Sequence, residues 1–380
     1  MSPSARFSPR RRQLLGAAAA LAAAPAVLAQ PGKPAHGRSL IVAQIVDISA
    51  TQQDVSKDFL IGSRAAWQDI NARGGLRGRA VSHLAVEVDG SPASLKAALA
   101  QLKDNPHCVV LSGTAGDPVA SQLAEQLRQD SFAIAHAAPW LQNSSIEIDE
   151  RTFPIFAARQ EQIGHALKSL TVMGVDGLGV VYASAAEHAL YNADLERIAA
   201  QLKLKLSSFR AEGDLARLGQ RLNQSTPAIL LFVGGTPELV QFTQGLEKQA
   251  RQRYVIALAD VNLQTMMQMG GARSTPVIAT QAVPMVTAGL PVVRAYRETM
   301  ARLFDEPPAA LSLAGFIAAR YTYEVLHDID GAITRQSALA AFQRRTGMDV
   351  GGYRISFDPR RRSATYVTQS MLTADGRVVG

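Results

Sequence analysis

The sequence predicts an α/β protein of two lobes, each built from a parallel β-sheet that helices cover on both faces. Short, continuously apolar runs alternate with helical segments along the chain, which is typical of parallel strands buried between helices. One such series begins near residue 41 and a second begins near residue 163. Two series in a chain of 380 residues favour two lobes.

Residues 62–79 are the most informative stretch of the first series. Their apolar side chains recur at helical spacing, at Ala65, Ala66, Trp67 and Ile70. Asn71 and the pair Gly74 and Gly75 are expected to end this helix, because Asn and Gly tolerate the left-handed backbone of a C-terminal cap. A second turn then leads into a predicted strand over residues 83–88.

The remaining elements follow from the same two patterns. Apolar runs predict further strands over 41–46, 109–111, 132–135, 179–182, 229–233 and 254–258. Apolar residues three and four positions apart predict helices over 95–102, 119–128, 163–173, 193–202, 239–251, 292–304 and 311–326. The chain is expected to finish as a β-rich tail.

The charge balance and the cysteine count exclude several properties. Of the 39 Lys and Arg residues, four lie in residues 1–29, which contain no acid, so 35 basic residues face 32 acidic ones in the rest of the chain. This balance, without a basic stripe interleaved with aromatic residues, argues against nucleic-acid binding. Cys108 is the single cysteine, so an intramolecular disulfide is impossible, and its apolar neighbours predict a buried, unreactive thiol.

Residues 1–29 have the pattern of an export signal. Arginines at positions 10–12 precede an apolar run that ends at Pro25, and the small residues up to Ala29 form a cleavage site. The adjacent arginines favour the twin-arginine route, and an ordinary secretory signal with an arginine-rich start is the alternative. The apolar run is shorter than the roughly 20 residues that span a membrane. We therefore expect a periplasmic protein without a membrane span in its mature chain.

Several motifs resemble those of the substrate-binding proteins of branched-chain amino-acid ABC transporters, which have the type I periplasmic binding fold. One is the helix and Gly-rich turn of residues 62–79, and another is the Gly-rich turn of residues 113–118 after a strand. Three further segments resemble the crossings between the lobes in that family: 153–156, 280–284 and 351–358. The resemblance covers nearly all of the chain after residue 38.

The resemblance also implies which segments form each lobe. The first lobe would combine residues 38–153 with 285–349. The second lobe would combine residues 159–279 with 354–380.

Ligands of open α/β sheets bind in the crevice at the carboxyl ends of the strands, and two facing lobes place two such edges opposite each other. The loops after the predicted strands, where the family also binds its ligands, therefore supply the candidate ligand-binding residues. These are Ser49, Gln52, Thr114, Gly116, Asp117, Ala138, Trp140, Glu187, Thr236 and Asp260.

Asp117 departs furthest from the family pattern. The family has a hydroxyl residue here, beside backbone N–H groups that hold the carboxylate of the ligand. Asp117 is also followed by Pro118, and Asp before Pro at the start of a helix is typical of a helix cap. Capping is therefore an alternative role for Asp117, and it is compatible with lining the cleft.

Other candidates have alternatives of their own. Trp140 either offers a ring on which a ligand stacks or covers the edge of the core. Glu187 and Thr236 stand where members of the family have Tyr, and either can instead be a solvated loop residue. Asp260 lies near the position from which amino-acid-binding members offer an acid to the ligand's ammonium group.

The resemblance implies an extracytoplasmic solute-binding protein that closes on a small molecule, an amino acid or a related compound, and delivers it to the permease subunits of an ABC importer. A periplasmic sensor subunit that docks to a receptor kinase is the alternative, since both would use the same closing motion. The chain has no Gly-x-Ser-x-Gly, P-loop or His-Glu-x-x-His motif, which argues against an enzyme. Its seven histidines are scattered, so we expect no metal and no cofactor, and we expect a monomer.

Asp117 leads to a prediction about ligand choice. A helix N-terminus carries about half a positive charge, and Asp117 already supplies one anion there. A ligand carboxylate about 4 Å away would be repelled by on the order of 4 kcal/mol at an effective dielectric constant of about 20. We predict that the protein does not bind leucine, isoleucine or valine tightly, and that its ligand turns a neutral or cationic group toward Asp117. Calorimetry on the mature protein, alongside Asp117→Thr, tests this, and micromolar binding of leucine would contradict it.

Overall fold

The computed structural model describes residues 39–211, 213–271, 274–363, 366–373 and 377–380. The expected export signal, its adjacent arginines and the cleavage site near Ala29 lie outside these described residues. Among the described helices, none has both the length and the apolar character needed to cross a bilayer.

Strands and helices alternate through most of the described chain. The strands are β1 (Leu40–Asp47), β2 (Val81–Val88), β3 (Cys108–Ser112), β4 (Ala135–Ala137), β5 (Thr152–Phe153), β6 (Gly177–Tyr182), β7 (Lys205–Arg210), β8 (Ile229–Val233), β9 (Tyr254–Ala257), β10 (Val277–Gln281), β11 (Met348–Val350), β12 (Tyr353–Ile355), β13 (Thr368–Leu372) and β14 (Val378–Val379). The helices are α1 (Gln53–Ala72), α2 (Pro92–Lys103), α3 (Asp117–Gln129), α4 (Arg159–Val172), α5 (Ala185–Gln201), α6 (Leu215–Arg221), α7 (Thr236–Leu246), α8 (Leu263–Gln268), α9 (Pro291–Leu303), α10 (Ala310–His327) and α11 (Arg335–Gln343).

The strands form two main sheets. The first has five parallel strands in the order β2-β1-β3-β4-β5, and the second has seven in the order β14-β13-β10-β9-β8-β6-β7. In the second sheet β13 and β14 are antiparallel to their neighbours, while the other five strands are parallel. We call each sheet with its packed helices a lobe. The predicted α/β fold with two parallel-sheet lobes is confirmed, and so is the β-rich tail.

The predicted strand over 132–135 was wrong, because β4 begins only at Ala135. Phe132 and Ile134 are apolar since both side chains pack into the core beside Leu127, not because their backbone pairs in a sheet. Sequence patterns also missed β7, α6, α8 and α11. Strand β7 lies at an edge of the second sheet and none of its residues is buried, so it has no continuous apolar run.

Gly74 and Gly75 end α1 as expected, but the expectation that Asn71 also ends it was wrong. Gly74 and Gly75 adopt φ angles of 105° and 68°, as the cap requires. Asn71 lies inside the helix, and its side chain accepts from the backbone N–H of Val81 and donates to the Val81 carbonyl, at 2.8 Å each. Asn71 therefore fixes the first residue of β2 against the end of α1.

Two glycines let α1 and α10 approach each other closely. A Cβ atom on Gly62 would lie 1.6 Å from the carbonyl oxygen of Ser312, and one on Gly315 would lie 1.9 Å from that of Phe59. The Ser63 hydroxyl donates to the Gly315 carbonyl at 3.2 Å across the same contact. Helix α10 therefore packs against α1 with their backbones in close contact.

The single thiol is buried, as the sequence predicted. Cys108 has no exposed surface, and burial raises its pKa to about 11. A thiol with this pKa is almost wholly protonated near neutral pH, and the thiolate is the reactive form.

The glycine contact predicts an unusual response to alanine. Alanine favours a helix over glycine by about 1 kcal/mol, so Gly→Ala in a helix normally stabilises. For Gly62→Ala and Gly315→Ala we expect a loss of about 1–3 kcal/mol or more in the free energy of unfolding, because the added methyl group meets backbone atoms. Gly164→Ala in α4 is the matched control, since its Cβ would meet nothing within 4 Å. Urea denaturation measures all three, and stabilisation by Gly62→Ala would contradict the close contact.

Candidate functional site

A cavity of about 230 Å³ lies between the two lobes, at the point in each sheet where the strand order reverses. In the first sheet this point is between β1 and β3, and in the second it is between β6 and β8. Ligands of open α/β sheets bind at such points. The lining comes from the loops and helix starts after these strands and after β9: Thr51, Gln52, Val55, Pro118, Ala183, Ser184, Ala186, Glu187, Leu190, Gly234, Gly235, Glu238 and Asp260.

Three of the predicted site residues line this cavity: Gln52, Glu187 and Asp260. Two others lie beside it in the chain. Asp117 precedes the lining residue Pro118, and Thr236 follows the lining residue Gly235, where its hydroxyl accepts from the backbone N–H of Asn262 at 3.0 Å.

The other five predicted residues are not part of the lining: Ser49, Thr114, Gly116, Ala138 and Trp140. Thr114 is fully buried, and its hydroxyl is 2.9 Å from Nε2 of His136. Gly116 packs against Asp47, to which an added Cβ would come within 2.7 Å.

Trp140 belongs to the core and does not offer a stacking face. Its side chain is 1% exposed, and its ring centroid lies 5.9 Å from that of Phe59 and 5.4 Å from that of Phe156. The indole N–H donates to Oδ1 of Asp260 at 2.8 Å. Trp140 thus acts on the site indirectly, since it holds a carboxylate that lines the cavity.

Asp117 does not cap α3, so the capping role expected from the sequence was wrong. It is the first residue of the helix, and its side chain makes no capping hydrogen bond. Its Oδ1 instead accepts from the backbone N–H groups of Gln142 and Asn143, at 2.7 and 2.9 Å. Its Oδ2 accepts from the Tyr191 hydroxyl of the second lobe at 3.0 Å. Asp117 therefore joins a loop of its own lobe to a helix of the other.

Burial raises the pKa of Asp117 above its ordinary value of 3.8. The guanidinium of Arg159 opposes this rise, while the carboxylate of Asp260 adds to it. The group is 6% exposed, so its charge depends on these neighbours more than on water.

Arg159 is the basic residue at the centre of this network. It is 3% exposed, forms a salt bridge with Oδ2 of Asp260, and lies over the ring of Tyr191 at 4.6 Å from the centroid. Asp260 therefore receives one donor from each lobe, the indole of Trp140 and the guanidinium of Arg159.

Sequence patterns missed three residues of the site. Arg159 and Tyr191 are on helices, whereas the rule that ligands bind at strand ends considers only the loops after strands. Glu238 lines the cavity from the first turn of α7, directly after the Gly234-Gly235 turn. That turn follows a predicted strand, and this signal could have identified Glu238.

Further hydrogen bonds join the lobes away from the cavity. The Asn262 amide donates to Oδ2 of Asp58 on α1, and the Gln162 amide donates to Oε1 of Gln142. Burial raises the pKa of Asp58 to about 6. The hydrogen bond from Asn262 opposes this rise, because it favours the ionised carboxylate.

A metal site is not found in the described part of the chain, where no group of three or more His, Cys, Asp or Glu side chains could hold an ion. His136, whose ring contacts the candidate residue Thr114, is buried, and burial lowers its pKa to about 3. Its imidazole is therefore neutral and bonded to Thr114.

Comparison with known families and structures identifies relatives of this architecture. A family model described as a periplasmic binding protein matches residues 40–374. No curated protein matches the sequence.

Solved structures share the fold at low sequence identity. An extracellular ligand-binding receptor from Verminephrobacter eiseniae ef01-2 has a TM-score of 0.81 at 18% identity, covering 90% of this chain and 100% of its own. A possible leucine/isoleucine/valine-binding protein from Rhodopirellula baltica SH 1 has a TM-score of 0.77 at 18% identity, covering 92% and 98%. A branched-chain amino acid ABC transporter protein from Thermus thermophilus with bound valine has a TM-score of 0.77 at 12% identity, covering 90% and 95%. These structures confirm the fold expected from the sequence motifs.

The contacts of Asp117 predict how two substitutions differ. Asp117→Ala leaves two buried N–H groups and the Tyr191 hydroxyl without an acceptor, so we expect a loss of about 2–4 kcal/mol in the free energy of unfolding. Asp117→Asn keeps an acceptor oxygen, and we expect a change of about 1 kcal/mol or less. Urea denaturation at pH 7 measures both, and equal losses would show that the charge matters and the acceptor does not.

The difference in stability between the wild-type protein and Asp117→Asn should depend on pH with a definite sign. A carboxyl group whose pKa is raised by folding stabilises the protein below its unfolded value, here about 3.8, and that contribution is lost as the pH rises through the raised pKa. Asp117→Asn cannot ionise, so the wild-type protein should lose stability relative to this variant as the pH rises above about 4.

Proposed function

Because the chain belongs to the periplasmic binding protein family, we propose that it is an extracytoplasmic solute-binding protein that closes on a small molecule and delivers it to the permease of an ABC importer. The observation that carries this proposal is the cavity between the lobes. Its lining comes from strand ends of both sheets, so a ligand there contacts both lobes only while they are together. Such a ligand shifts the equilibrium toward the closed form. The family description supports a periplasmic location, and we propose that the protein acts there as a monomer that binds without catalysis.

We further propose which segments move as bodies. One body combines residues 38–153 with 285–349, and the other combines 159–279 with 354–380. The segments 153–156, 280–284 and 351–358 would connect them. In support, the first sheet ends at Phe153 and the chain leaves the parallel part of the second sheet at Gln281. Short connecting segments that absorb backbone rotation are typical of hinge closure.

The ligand class follows first from the relatives. One structural neighbour is a valine complex and another is a possible leucine/isoleucine/valine-binding protein. We therefore propose an amino acid or a related small compound as the ligand class to test first.

A thermal-shift screen of amino acids, amides, amines and organic acids on the mature protein tests binding. A ligand at 100 times its dissociation constant stabilises the folded protein by about 2.7 kcal/mol. Small-angle scattering with the compound that stabilises most should then show a smaller radius of gyration. An unchanged radius at saturating ligand would argue against a closing solute-binding protein.

A pair of tryptophan substitutions on α5 locates the binding site. Both alanines are exposed on the same helix, but Ala186 lines the cavity and Ala193 does not. We expect Ala186→Trp to abolish ligand-induced stabilisation because the indole fills the cavity, and Ala193→Trp to preserve it. Equal responses of the two variants would place the ligand elsewhere.

A further inference from the structure

The cavity is lined by acidic groups. Three of its lining residues carry carboxylates, Glu187, Glu238 and Asp260, and none of its described lining residues is Lys, Arg or His. The carboxylate of Asp260 is already occupied by Arg159 and Trp140. The two glutamates therefore determine the charge that a ligand meets.

Three acceptor atoms around the cavity have no partner. Oε2 of Glu187, Oε2 of Glu238 and Oε1 of Gln52 are buried, and none receives a hydrogen bond from the part of the chain that the structure describes. The two glutamates belong to the second lobe and Gln52 to the first. Buried acceptors are normally satisfied, so these atoms indicate a group that brings donors between the lobes.

The surrounding charges do not neutralise the glutamates. Glu187 faces one guanidinium, that of Arg159, and three other carboxylates, those of Asp260, Asp117 and Glu238. Arg159 is not part of the lining: its Nη2 is bonded to Asp260 and its guanidinium lies over the Tyr191 ring, while its buried Nε and Nη1 have no partner among the described residues. A positive charge in the cavity would relieve the repulsion among four carboxylates, and a negative charge would increase it.

We propose that this cavity binds a small organic cation with N–H donors, such as a primary ammonium, amidinium or guanidinium, whose donors bridge Glu187 and Glu238 to Gln52. This inference rests on the proposed solute-binding function and specifies its ligand class. The volume of about 230 Å³ lies below the roughly 300–1,000 Å³ of typical ligand pockets, which restricts the ligand to a small molecule. Charge-assisted hydrogen bonds to carboxylates are among the strongest in proteins.

Binding of a cation should also release protons. Burial raises the pKa of Glu187, opposed by Arg159 and reinforced by the neighbouring carboxylates, so the ligand-free glutamate is partly protonated below its raised pKa. A bound cation favours the ionised form, and its affinity should therefore fall as the pH is lowered toward the ordinary glutamate value of 4.5. An anion would show the opposite trend.

The experiment uses the mature protein and four classes of probe that differ in charge or in N–H donors. Putrescine and agmatine are cations with N–H donors, tetramethylammonium is a cation without them, leucine is a zwitterion, and succinate is an anion. We expect putrescine or agmatine to raise the melting temperature and to show calorimetric binding that weakens at acid pH. Tetramethylammonium should bind at least tenfold more weakly, because it cannot donate to the glutamates.

Substitutions that keep the side-chain shape test the glutamates themselves. Glu187→Gln and Glu238→Gln should each raise the dissociation constant of the bound cation about tenfold or more. Glu196→Gln removes the same charge from an exposed position on α5, and it should change that dissociation constant by less than about twofold. Circular dichroism of each variant confirms folding. Unchanged affinity in both cavity variants would overturn the proposal, because the cation would then bind elsewhere.

The outcomes separate this inference from the proposed function. Closure on leucine or succinate, with no response to the cations, would overturn the cationic ligand and leave the solute-binding protein standing. Absence of stabilisation by every probe at millimolar concentration would overturn the cationic ligand, and a full compound screen without any response would then contradict the solute-binding function itself.

Discussion

The buried salt bridge between Arg159 and Asp260 is the interaction on which the junction of the lobes depends. Burying two charges costs several kcal/mol for each ion unless the pair is well bonded, and removal of either partner leaves an uncompensated charge. The surrounding groups meet this requirement for Asp260, whereas Nε and Nη1 of Arg159 are buried without a partner among the described residues. Trp140 donates to the same carboxylate, the Tyr191 ring covers the guanidinium, and the Tyr191 hydroxyl continues the network to Asp117. A single connected set of polar groups thus links α4, α5, the end of β9 and the loop after β4.

The same set of contacts bears on the motion of the lobes. A hydrogen bond contributes about 0.5–1.5 kcal/mol net, or about 1.5–3 kcal/mol where one group is charged, because the separated groups bond to water instead. The bonds from Tyr191 to Asp117 and from Asn262 to Asp58 therefore favour contact between the lobes only modestly. The unpartnered acceptors around the cavity oppose that contact, since opening would hydrate them. Because these contributions are small and opposed, ligand binding determines whether the lobes are open or closed.

How far the sequence predicts this protein differs between its fold and its site. Continuous apolar runs and helical spacing located most of the parallel strands and their helices, because burial between layers requires those patterns. They missed β7, in which no residue is buried. At the site, the rule that ligands bind at strand ends predicted three residues that line the cavity, Gln52, Glu187 and Asp260. It could not identify Arg159 or Tyr191, because both lie on helices. Their bonding partners are also distant in the sequence, 101 residues away for Arg159 and 74 residues away for Tyr191.

The buried thiol of Cys108 has a practical consequence for optical work on this protein. Maleimide dyes react with thiolates, and a thiol that is fully enclosed with a pKa of about 11 offers them almost none near neutral pH. With Thr51→Cys, at an exposed residue that lines the cavity, the new cysteine would therefore be the single labelled position, and Cys108 would not have to be removed. An environment-sensitive fluorophore attached there would turn the approach of the second lobe into a change of emission. The chain is in this sense already a scaffold for a reagentless sensor.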